Sequence, residues 1–161
     1  ADVAPGIQSD WDDHAGFPSP IFDSMAKRLP WFDQAVSALI EDLYQRGLDE
    51  RVLVVVTGEF GRTPRIGAKE NAQTKAMHVG REHWSQAMSM IVAGGGMNMG
   101  QVIGSTTARG HIPKDRPLRP GDLLATIYQH LGIDTTLEYH DRSGRPLPIL
   151  SEGAPIAELV G

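Results

Sequence analysis

Three short polar clusters hold the residue types that do chemistry. They are Asp10-Trp11-Asp12-Asp13-His14, Glu59 running on through Gly61-Arg62-Thr63-Pro64-Arg65, and Gly80-Arg81-Glu82-His83-Trp84. Carboxylates and imidazoles together are ligands for a divalent ion or partners in proton transfer, and guanidinium forks match the oxygens of phosphate or sulfate. In extended backbone, residues two apart face the same side, so Asp12 and His14 can share one ion. Asp10 and His14, four apart, can do so across a helical turn. The same Asp-rich stretch also suits a solvated loop, although Trp11 argues for partial burial.

Glu59 follows the apolar run Val52–Val56, and the end of a strand is where open α/β sheets place ligands. It suits either a metal carboxylate or a general base; the alternative is a structural pair with Arg62 or Arg65 that organises the turn. His83 lies beside the large apolar Trp84, which would fix the orientation of an imidazole ligand, against the alternative of a structural histidine. Arg62, Arg65 and Arg81 are candidate anion contacts or simply solvated loop residues. The triple glycine at 94–96 matches neither phosphate-loop nor dinucleotide patterns and reads as a tight turn. A nucleophile elbow, a zinc-protease helix and a calcium loop are all missing.

Composition limits what these clusters can be used for. The chain has 161 residues, 40% hydrophobic and 22% charged, which suits one domain with a real core. A net charge of −5 argues against nucleic acid or an anionic membrane as partner, since either demands a concentrated basic face. With no cysteine, any metal must sit on His, Asp, Glu or other oxygen donors. No apolar run approaches the roughly 20 residues of a membrane span, and residues 1–10 lack the pattern of a signal peptide.

The elements that must position the clusters read as follows. Residues 1–30, with Pro5, Pro18, Pro20 and Pro30, form an irregular segment containing at most a short helix over Ile21–Arg28. Phe32, Val36, Leu39, Ile40 and Leu43 recur at helical spacing, giving a helix over Trp31–Arg46 that Gly47 stops. Val52–Val56 is a continuous β-branched run, expected as a strand covered on both faces and so part of a parallel sheet. Residues 61–86 lack a period and read as a long loop, Met88–Ala93 and Gln101–Ile103 as strands, and Asp122–Leu131 as a helix ended by Gly132.

The segments WDDH, WFDQAVSALIEDLYQRGL, VLVVVTGEFGRTP, GREHW, AGGGMNMGQVIGST and DLLATIYQHLGID, in that order across about residues 11–157, resemble one bacterial family. It is the family of domain of unknown function 1501, which is similar to sulfatases and alkaline phosphatases. The resemblance implies an α/β fold, a three-layer α/β/α arrangement with a mostly parallel sheet, of which residues 1–161 would be the C-terminal part. It implies metal-assisted hydrolysis of a phosphate or sulfate ester, with a small-molecule or glycan ester as substrate. Asp12, His14, Glu59 and His83 would be the metal ligands, Arg62 and Arg81 anion clamps, and the nucleophile would lie outside the chain. Zinc or manganese suits mixed imidazole and carboxylate ligands better than magnesium alone. Two departures stand out: Glu59-Phe60 replaces the superfamily's Asp-His pair, and only Asp10, not Asp12, has its four-residue spacing to His14. The resemblance also implies a periplasmic or secreted protein. The alternative is a non-catalytic module of the same fold that binds a sulfated or phosphorylated glycan or a protein.

Overall fold

The computed structural model describes residues 11–16 and 19–161, so Asp10 and its spacing to His14 lie outside the described residues. The chain runs as α1 (Ile21–Gln45), β1 (Leu53–Val56), β2 (Gly61–Arg62), β3 (Gly67–Glu70), β4 (Met77–Gly80), β5 (His83–Trp84), β6 (Ile91–Gly94), β7 (Ser105–Thr106), β8 (Pro113–Asp115), α2 (Pro120–His130), β9 (Glu138–His140), β10 (Pro146–Pro148) and α3 (Ala157–Val160). Among the described residues no helix is long and apolar enough to cross a membrane.

The expected three-layer α/β/α architecture with a parallel sheet is overturned. Among the described residues the strands form separate two-stranded sheets, β1 with β6, β2 with β5, β3 with β4, β7 with β8 and β9 with β10. β1 pairs with β6 antiparallel, Leu53 opposite Gly94 and Val56 opposite Ile91. A parallel pairing needs a crossover connection, usually a helix, to bring the chain back in the same direction. The stretch between β1 and β6 instead folds back on itself. The Leu-Val-Val-Val run is half-buried along its whole length, not covered on both faces, and that is why continuous hydrophobicity misled.

The long loop expected over 61–86 is also replaced by structure, a nested antiparallel hairpin. β2 pairs with β5, Gly61 opposite Trp84 and Arg62 opposite His83, and inside them β3 pairs with β4, Gly67 opposite Gly80 and Glu70 opposite Met77. Asn71 builds the turn: its Oδ1 accepts the Gln73 N–H at 3.0 Å and the Thr74 N–H at 2.8 Å. Such a turn leaves no hydrophobic period to read, because β3 is mostly exposed.

α1 is one helix across Pro30, where two segments were expected. Proline removes an N–H and crowds the preceding turn, normally ending a helix there. Here one stripe is covered on both sides of it, Ile21, Ser24 and Arg28 before and Phe32, Val36 and Ile40 after. Gly47, at φ +63°, ends the helix as expected, and the Leu48 N–H returns to the Leu43 carbonyl at 3.0 Å.

The chain divides into two compact units, residues 1–42, 57–90 and 106–113 in one, and 43–56, 91–105 and 114–161 in the other. In the second, Leu43, Ala93, Ala125, Ile156 and Leu159 are buried, and the buried Thr126 hydroxyl accepts the Ile156 N–H at 2.9 Å. The interior of the first is unusually polar: beside Ala15 and Ile21 it buries Asp13, Ser24, Arg28, Asn71 and His78.

Candidate functional site

The polar clusters meet within the first unit. Residues 11–16 run alongside β4 as a short extended segment, tied by Arg81 N–H to Asp13 carbonyl at 3.0 Å and by Gly16 N–H to His78 carbonyl at 3.2 Å. The approach is close: a Cβ on Gly80 would lie 2.3 Å from the His14 backbone carbon and 2.4 Å from the Ala15 nitrogen. Glycine is what lets the segment lie so near. Burial then alternates as extended backbone requires, with Asp13 and Ala15 buried and Asp12 and His14 half-exposed on the other side.

On that half-exposed side Asp12 is the hub. Its Oδ1 accepts from His83 Nε2 at 2.9 Å, and the Arg62 guanidinium lies 2.9 Å from the same oxygen. Its Oδ2 lies 3.4 Å from His14 Nε2. Arg62 and His83 stand directly opposite on β2 and β5, so one carboxylate can reach both. The hydrogen bond from His83, with Arg62 adding to it against partial burial, holds the Asp12 carboxyl below its ordinary range. The Phe60 ring stacks on His83 with centroids 4.2 Å apart.

Glu82 braces the arrangement from the other side. Its Oε1 accepts the Ala15 N–H at 3.3 Å and pairs with Lys69 at 3.3 Å. Burial works against its ionisation, but Lys69 and the Ala15 N–H outweigh that and lower its carboxyl. Thr63 and Glu82 exchange further bonds, Thr63 N–H to Glu82 carbonyl at 2.9 Å and Glu82 N–H to Thr63 Oγ1 at 3.1 Å.

Three of the expected residues, Asp12, His14 and His83, are therefore brought together, and Glu59 is not. Glu59 is exposed beyond the end of β1. The two arginines are placed but engaged. Arg62 donates to the Trp11 carbonyl at 3.0 Å and the Arg81 carbonyl at 3.1 Å, while Arg81 donates through Nε to the Thr63 carbonyl at 2.6 Å. The sequence places Asp13 and Glu82 in the polar clusters and Phe60 beside Glu59, but no role for these three was read from it. The Asp13 signal was present, since alternation that puts Asp12 and His14 on one side puts Asp13 on the other.

The metal that the sequence resemblance implies does not fit this arrangement. His14 and His83 approach different oxygens of Asp12, and among the described residues no three His, Asp or Glu side chains are placed to hold one ion.

A family model described as protein of unknown function (DUF1501) matches residues 3–160. The chain belongs to the DUF1501 family. No curated protein and no solved structure gave a match. Within this DUF1501 chain, what the Asp12 cluster can do chemically is hold an imidazole in a fixed orientation at a solvent-reachable position: His83 is 54% exposed while bonded to an ionised carboxylate.

Proposed function

We propose that Asp12 and His83 form the acid–base pair of a hydrolase acting on a phosphate or sulfate ester. The observation that carries it is the 2.9 Å hydrogen bond from His83 Nε2 to Asp12 Oδ1. A carboxylate only accepts, so Nε2 carries the proton and Nδ1 is left as the ring's acceptor. In the proposed step Nδ1 takes a proton from water as its oxygen attacks phosphorus or sulfur, and the ring returns that proton to the departing alkoxide. Asp12 orients the ring and supports its positive charge in the transition state. Arg62 keeps Asp12 ionised and in place. The ester class rests on the resemblance in sequence and on the Arg62 guanidinium held beside the pair.

A second reading is favoured by the engagement of the Arg62 and Arg81 forks with backbone carbonyls. In it the chain binds a sulfated or phosphorylated glycan, or a protein, without turnover. Hydrolysis of p-nitrophenyl phosphate and p-nitrophenyl sulfate by the wild-type chain, Asp12→Asn and His83→Gln separates the two. Turnover that falls by about 10²-fold or more in both variants supports the acid–base pair. Saturable binding of phosphate or sulfate without turnover supports the second reading. Turnover unchanged in both variants sinks the first, and stoichiometric zinc or manganese found by elemental analysis would return the metal to the site.

A further inference from the structure

We infer that Asp13 and Arg28, an ion pair buried behind the cluster, are positioning residues that set Asp12 and His14 against His83. The inference rests on the reading of Asp12 and His83 as a pair. Asp13 Oδ2 accepts from Arg28 Nη2, and the two side chains are only 3% and 5% exposed. Arg28 projects from α1 and also lies over the Trp11 ring, 5.0 Å from its centroid, while Trp11 meets Phe32 of the same helix edge-on at 5.6 Å. One helix face thus grips the segment at two consecutive odd positions, Trp11 and Asp13, and leaves Asp12 and His14 facing the other way.

Stability alone is a poor reason for such a pair. Asp13 Oδ1, Arg28 Nε, Arg28 Nη1 and the nearby Ser24 Oγ are buried with no hydrogen-bond partner among the described residues. Desolvating two charges costs as much as their attraction returns unless the remaining donors and acceptors are satisfied, and apolar residues of similar volume often do as well. What the pair supplies is register. A slip of the segment by one residue would turn Asp12 or His14 inward, bury an unmatched group, and carry the carboxylate away from Arg62 and His83. Gly80 and the Arg81 N–H fix the height of the segment, and Asp13 fixes its rotation.

The test reads the ring N–H resonance of His83 in nitrogen-15-labelled protein at one fixed pH, beside the backbone amide spectrum as a check of folding. Arg28→Met and Asp13→Asn each leave a buried charge and can unfold the unit, so the decisive variant is Asp13→Leu/Arg28→Met, which removes both. The expected result is a folded amide spectrum in which the His83 N–H exchanges with solvent at least about tenfold faster or vanishes. If the double variant does not fold, Arg28→Lys, which keeps the charge and drops the fork, is read in the same way. A His83 N–H unchanged in position and exchange in the folded variant overturns the inference. Asp12→Ala, which removes every acceptor facing His83 Nε2, is the control for the reading beneath it. If that variant keeps the resonance, the Asp12–His83 pair itself is wrong, whatever Asp13 and Arg28 do.

Discussion

At the scale of single residues, Asp12 gathers the site because one carboxylate satisfies a guanidinium and an imidazole on facing strands and has a second oxygen left for His14. Its lowered carboxyl fixes the sign of a pH effect. A group whose folded value lies below the ordinary 3.8 stabilises the fold above that value and loses the contribution as pH falls through the lower one. Urea unfolding of wild type and Asp12→Asn should therefore differ at neutral pH and converge in acid. A gap that persists unchanged in acid would show that Asp12 acts through packing and not through charge. Behind it, Arg28→Met should cost about 3–5 kcal/mol, because it leaves Asp13 buried without its partner, and Asp13→Leu/Arg28→Met should recover much of that. Chemical denaturation of the three proteins measures both. The convergence of Asp12 and His14 was legible in sequence because side-chain alternation is a local property. That Arg62 would serve Asp12 and the Trp11 carbonyl was not, because it depends on which residue of β5 lies opposite β2.

At the scale of elements, the site depends on two backbone devices in the nested hairpin. Gly80 admits the 11–16 segment, and the side chain of Gly80→Ala would meet the Asp13 carbonyl oxygen at 2.5 Å. The backbone must shift, so we expect a loss of about 1–3 kcal/mol together with loss of the His83 ring N–H resonance. A variant of wild-type stability that keeps the resonance would show the approach to be looser than the structure has it. Asn71→Ala should unfasten the turn, since three donors share its Oδ1, with Thr74 Oγ1 at 3.2 Å as the third. Hydrogen exchange should rise first in β3 and β4, whose ladder it closes, at a cost of about 0.5–1.5 kcal/mol for each bond not replaced by water. The helices were easier to read than these strands. Phe32, Val36, Ile40 and Leu43 repeat at helical spacing, and Pro120 stands where α2 begins. β2 and β5 are only two residues each, too short for any period, and are set by partners distant in sequence.

At the scale of the whole molecule, the expectation of a parallel sheet drew on the family resemblance and on the inference that an unbroken apolar run must be covered on both faces, and the second fails at β1. Val54 and Val55 are only half-buried, and their strand has one antiparallel partner. What the composition did carry through was the acidic balance, net charge −5, and the structure shows how those carboxylates are used. In one unit Asp12 and Glu82 titrate below their ordinary values. In the other Asp122 does so through the Arg119 and Ala154 N–H groups, Asp134 through Thr136, Asp141 through Ser143 and the Arg145 N–H, and Glu158 through Arg116. Each of these groups holds fewer protons folded than unfolded in the window below the ordinary 3.8 of Asp and 4.5 of Glu, so stability must rise with pH there. The urea midpoint of the chain should accordingly fall without reversal from about pH 5 to about pH 3. Proton uptake on unfolding, measured by unbuffered titration in that window, should be positive. Replacing Asp122 by Ala removes one of these groups and two backbone hydrogen bonds at 2.8 and 3.0 Å, so the slope should become shallower while the midpoint at neutral pH also drops. A flat acid profile in wild type would mean that these carboxylates, Asp12 and Asp122 among them, find equal partners in the unfolded chain.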